Sequence, residues 1–241
     1  MAVDSNRAGI APRGAVLDIQ ELWTAFRNIC FVILHLLVAG TFAYVVLSII
    51  PGLHTASDAV PGKPHVNFAI LLVHAFAALP PLLIGLIAFN PVLRRRSIGT
   101  HRSLGQIYCI CIWVSSLTGI LLASANVSGI WAQWGFGMLG VVWFATTTQA
   151  YRTAKPGMIP AHRVWMIRSY ATTLAVVSVR PLLWFGPAEG FSVSEWVSLA
   201  SWACWVPNLI LAEFYLRITT FSGRLALPKR RGRALRAQVS G

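Results

Sequence analysis

The chain has 241 residues, 56% of them hydrophobic and only 11% charged, with a formal net charge of +13. A soluble domain would carry roughly 25% charged residues, so an ordinary water-soluble fold is excluded. Nucleic acid is excluded as the partner of the basic excess. No aromatic platform accompanies it, and juxtamembrane Lys/Arg beside anionic headgroups contribute about 1 kcal/mol each.

Residues 1–24 are predicted as a cytoplasmic segment in which 17–26 (LDIQELWTAF) forms an amphipathic helix at the interface. Asp4, Asp18 and Glu21 among its arginines, and the length of the apolar run that follows, do not fit a cleavable signal. Six apolar runs are each long enough, at about 20 residues, to cross a bilayer as a helix. They fall at 25–50, 66–89, 104–124, 130–151, 164–185 and 195–216. The runs are continuous rather than alternating, which argues against a barrel. The expected fold is all-α: a polytopic membrane helical bundle of six transmembrane helices over 25–217, then a basic cytoplasmic tail over 218–241.

The first span carries His35, and the second a line of His74, Ala78, Pro81 and Gly85. His74 lies about 12 Å below the outer boundary, too deep for a surface residue. The next turn reads NPVLRRRSIGTHRSLGQIY and leads into a third span whose His101, Gly105, Tyr108, Ile112 and Gly119 share a face. Its small residues allow close helix contact. In the fourth span Gly135, Gly137 and Gly140 read as packing residues, and Trp131, Trp134 and Trp196 as an outer aromatic belt.

A second turn, QAYRTAKPGMIPAHRVWMIRSY, repeats the first loosely: a basic Pro/Gly-containing turn, His-Arg at the mouth of the returning helix, then a tyrosine. Such pseudo-repeats often place a site at their interface. On the fifth span His162, Ser169, Thr173 and Arg180 form one stripe. Arg180 is about 27 Å from His162, where it would snorkel to outer headgroups, helped by a break at Pro181. Arg168 is roughly 9 Å deep and points off the stripe. The cysteines Cys30, Cys109, Cys111 and Cys204 all fall within spans, so they read as packing residues rather than disulfides or zinc ligands.

Arg94, Arg95, Arg96 and Arg102, then Arg152, Lys155 and Arg163, then seven tail cations all fall on one side of a six-span topology. The positive-inside rule places both termini there, in the cytoplasm, most simply across a bacterial inner membrane. Anionic lipids would meet the basic tail. Ionisable groups inside a span cost about 2.5–3.5 kcal/mol on insertion scales and usually face the bundle interior. Of the seven acids only Glu213 lies at the depth of Arg168, so His101, Arg102, His162, Arg163 and Arg168 gather with one carboxylate among them. That pattern points to an anionic guest: haem propionates, a substrate carboxylate or a lipid phosphate. Solvated topological anchoring is the bland alternative.

THRSLGQIY followed by HRVWMIRSYATTLAVVSVR resembles a family of uncharacterised predicted membrane proteins, one of the domain-of-unknown-function families of bacteria and fungi. Its hallmarks map to His74, Arg94, His101, Arg102, Gly105, Tyr108, His162, Arg163, Trp165, Met166, Arg168, Tyr170 and Arg180, covering about 66–180. One departure is IAFN where members tend to have a glutamine late in the second span. This resemblance implies an architecture and no agreed activity. A more distant likeness is to the ascorbate-reducible di-haem b cytochromes, which have six spans and histidine pairs on alternate spans. It implies one haem b held by His101 and His162 as metal ligands, since the fourth span has no histidine to meet His74.

Three readings follow. The first is a haem b- or quinone-linked redox protein, with Arg102, Arg163 or Arg168 on propionates and Tyr108 and Tyr170 lining the pocket. The second is an intramembrane enzyme or binder of an amphipathic anionic small molecule, with His101 or His162 as general acid–base. The third is a structural or assembly subunit of a membrane complex.

Overall fold

The computed structural model describes residues 32–33, 35–44, 47, 68–89, 91–187 and 190–225. The expected amphipathic segment at 17–26, Cys30 and most of the basic tail lie outside the described residues. The chain divides into two units, 1–37 and 38–241, and every contact below lies within the second.

All regular structure among the described residues is helical. A short apolar helix, α1 (His35–Tyr44), precedes α2 (Phe68–Ala88), α3 (Pro91–Arg96), α4 (Ile98–Ser124) and α5 (Ile130–Arg152). Then come α6 (Ile159–Thr173), α7 (Ala175–Phe185), α8 (Val193–Ala203) and α9 (Val206–Leu225). Among the described residues, three stretches are long and apolar enough to cross a bilayer: Ala69–Ala88, Ile98–Ser124 and Val193–Thr219.

Local chemistry sets the ends and breaks. The third apolar run begins earlier than its hydropathy predicts, because Ser97 caps α4 by accepting a 3.3 Å bond from the Thr100 amide. His101 and Arg102 are therefore already inside the helix. α8 starts on a capping box in which the Ser192 amide donates to Glu195 Oε2 at 2.8 Å and the Glu195 amide donates back to Ser192 Oγ. At the far end α9 continues to Leu225, past the boundary expected at residue 217.

The expected break at Pro181 is not where the fifth run bends. Pro181 sits inside α7, and the interruption falls at Leu174. Just before it, the Thr172 and Thr173 hydroxyls donate to the Ser169 carbonyl at 2.7 and 2.9 Å. Such back-bonding competes with the backbone ladder and bends helices. α2, by contrast, runs through Pro80 and Pro81.

α2 packs on α4, α4 on α5, α5 on α6 and α8, and α6 on α9. Small residues set several of these approaches. A Cβ on Gly140 would meet Ile120 and the Ser116 carbonyl, and one on Gly135 would meet the Ser201 side chain. Gly105, expected at a tight contact, instead faces open space, whereas Gly119 stands against His74. The exposed surface is rich in large apolar side chains, among them Leu71, Phe76, Ile110, Leu117 and Phe214. In water such a surface would drive association; in lipid it is the expected outer face.

Candidate functional site

The two His-Arg turns come together at one end of the bundle, where His101 lies within electrostatic reach of both Arg94 and His162. His162 Nδ1 donates to the Ala150 carbonyl at 2.8 Å. A carbonyl only accepts, so Nδ1 carries a proton. His101 Nδ1 is buried without a partner, so nothing orients its ring in the same way.

The arginines there do not converge. Arg102 and Arg163 are exposed. Arg168 Nε and Nη2 donate to the two carboxylate oxygens of Glu213 at 2.5 and 3.1 Å, and its Cζ stands 4.5 Å from the Trp165 ring centroid. The fork is thus paired bidentately within the protein. Arg168, the sequence's best candidate for an anionic guest, already has its anion.

Tyr108 and Tyr170, expected to line that pocket, are buried struts between helices. The Tyr108 hydroxyl bonds to Ser169 Oγ at 3.0 Å and to Thr173 Oγ1 at 3.2 Å. Ser169 Oγ also meets Thr147 Oγ1 at 2.7 Å, and Trp143 Nε1 donates to Thr173 Oγ1 at 2.9 Å. One connected network therefore ties α4, α5 and α6 together just before the Leu174 break. Interhelical hydrogen bonds in membranes average about 0.6 kcal/mol and reach about 1.7. Tyr108→Phe, which removes two of them, is expected to destabilise by roughly 1–2 kcal/mol. Thermal unfolding of the purified variant measures this, and an unchanged midpoint would show the network to be idle. Tyr170 donates to the Leu82 carbonyl at 3.0 Å and packs its ring 5.5 Å from that of Phe89.

His74 is separated from the other two histidines and opens a different site. A cavity of about 270 Å³ lies among α2, α4, α5, α6 and α7, with Cys204 on its wall. His74 Nδ1 donates to the Ser115 carbonyl at 2.9 Å, so Nε2 is left as an acceptor. Gly119 makes room for the ring, since a Cβ there would lie 3.0 Å from His74 Cε1. Thr173 and Trp143, also lining the cavity, are occupied with each other.

Two lining groups are not satisfied: Ser116 Oγ and Arg180 Nε are buried without a hydrogen-bond partner. Arg180 was expected among outer headgroups. It instead borders the cavity, with its Cζ 5.7 Å from the Tyr44 ring centroid. A ring face attracts a cation but does not neutralise it. The only ion pair among the described residues is Arg168–Glu213. The sequence signal for Arg180 was an arginine inside an apolar run. Ser116 gave none, because a serine in a span usually bonds to its own helix.

The family model described as "Predicted membrane protein (DUF2306)" matches residues 71–216. No curated protein and no solved structure matches the chain.

Proposed function

The chain belongs to this family of predicted membrane proteins and is an integral membrane protein; we propose that it crosses the bilayer six times and binds a small amphipathic molecule in the cavity bordered by His74 and Arg180. In this reading the six passes are the region of α1, then α2, α4, α5, α6 with α7, and α8 with α9. The basic end, carrying Arg94, Arg152 and Lys155, faces the cytoplasm together with both termini, as in a bacterial inner membrane. A reporter fused after Leu225 that works only in the cytoplasm is expected to be active.

The observation that carries the binding reading is Arg180 Nε, buried at a cavity wall without an acceptor. Unsatisfied polar groups in hydrocarbon are costly, and a guest with an acceptor group would satisfy this one. Most of the wall is apolar, which suits a hydrocarbon body delivered from the bilayer. Native mass spectrometry of the protein released from lipid nanodiscs tests this. One small amphiphile per chain is expected, lost in Val176→Trp, which fills the cavity. Bulk phospholipid alone in both proteins would defeat the reading and favour a structural or assembly role.

The hydrogen bond that orients the His162 ring supports a second reading, one haem b between His101 and His162 in a redox role. A reduced-minus-oxidised spectrum decides it. A stoichiometric Soret band lost in His162→Ala supports the reading, and a featureless spectrum removes it.

A further inference from the structure

We infer that the guest of the cavity is a monocarboxylate with a compact apolar body, its carboxylate held by the guanidinium of Arg180; this rests on the binding reading above. Charge is the first argument. Arg180 carries the only permanent formal charge among the lining side chains, which include no lysine, aspartate or glutamate. A neutral guest would leave the guanidinium unbalanced where water is scarce. A phosphate monoester, with about −1.5 to −2 charges, would overshoot it. A monoanion balances it.

Geometry is the second argument. The unpartnered atom is Nε, and the Nε–H together with one Nη–H forms the edge of the fork that matches the two oxygens of a carboxylate. The Arg168–Glu213 pair shows the same edge in use elsewhere in this bundle, through Nε and Nη2. Ser116 Oγ, also unpartnered, leaves a place for one further oxygen on the guest.

Size is the third argument. At about 30 Å³ for each water-sized group, a cavity of about 270 Å³ holds roughly nine such groups. That suits a medium-chain acid and is too small to enclose a whole phospholipid or haem.

The test uses the full chain in phosphatidylcholine nanodiscs and carboxyl-labelled octanoate, followed by NMR, with empty nanodiscs subtracted. Octanoate is expected to saturate one site per chain, and octanol and octyl phosphate to compete at least about tenfold less well. Arg180→Gln should weaken octanoate by about tenfold or more, Arg180→Lys should weaken it less, and both should lower octanoate binding more than octanol binding. If octanol or octyl phosphate competes as well as octanoate, the carboxylate assignment falls while the cavity reading survives. If octanoate binding ignores both Arg180→Gln and Val176→Trp, or if no probe saturates, both fall. Should Arg180→Gln fail to fold, Val176→Trp decides: it keeps the charge and is expected to abolish binding, and retained binding overturns the proposal.

Discussion

Replacing Gly85 by valine is expected to prevent the bundle from closing. A Cβ at this position would coincide with the Tyr170 ring, whose Cε2 and Cδ2 occupy the space. Tyr170 is buried and cannot simply swing aside, because its hydroxyl is bonded to the Leu82 carbonyl and its ring is packed on Phe89. Overpacking a core usually costs about 1–3 kcal/mol and occasionally more. Here the loss of the Tyr170 hydrogen bond adds to it, so about 3 kcal/mol or more is expected. Fluorescence-detected gel filtration before and after heating reads the effect. Combining the change with Tyr170→Ala should recover part of the loss by vacating the space. If the valine variant melts with the parent, α2 and α6 do not meet at this point.

The second large effect concerns Arg168 and Glu213. Glu213→Gln leaves the Arg168 guanidinium beside Trp165 without its counter-ion, part-buried near the basic end of the bundle. An isolated pair on a wet surface is worth about 0–1 kcal/mol. Unpaired charge at the centre of a membrane costs about 2.5–3.5 kcal/mol on insertion scales. With side-chain exposures of 26% and 40%, this pair lies between those limits, and a loss of roughly 1–3 kcal/mol is expected. The double variant Arg168→Gln/Glu213→Gln should be more stable than the sum of the two single losses predicts, by about 1 kcal/mol or more. Strict additivity would mean that the two side chains are neighbours without being coupled.

These expectations show where the sequence was informative. The helices at Phe68–Ala88 and Ile130–Arg152 follow from long apolar runs, and the strand alternative fell for the same reason. Glu213 was legible as the one acid at the depth of Arg168, because acids are so scarce, but not that the two close into a pair and leave Arg168 no need of a guest. Of the expected stripe of His162, Ser169, Thr173 and Arg180, the last three were legible, while His162 turns to the Ala150 carbonyl instead. Ser169 and Thr173 do share the Tyr108 network, and Thr173 and Arg180 line one cavity.

Other features depend on information that periodicity lacks. The break at Leu174 follows a pair of hydroxyls, Thr172 and Thr173, that both donate to the Ser169 carbonyl, a feature invisible in a hydropathy pattern. The early start of α4 depends on one serine cap. The exposure of Arg102 and Arg163, and the burial of Arg180 Nε, depend on how each helix is rotated about its axis. Charge counting could find a surplus of cations. It could not say which of them was already neutralised.

The Trp143–Thr173–Tyr108–Ser169–Thr147 chain gives the cavity a direction. Its hydroxyl and indole groups are consumed by one another, so that end offers a visitor only shape. The unmet polar groups are Ser116 Oγ and Arg180 Nε, and the charged one lies at Arg180, seven residues along the chain from Thr173 and about 10 Å away along a helix. A molecule with one polar terminus would be sorted by this imbalance: tail towards the saturated wall, head towards the cation, and the reverse pose unrewarded.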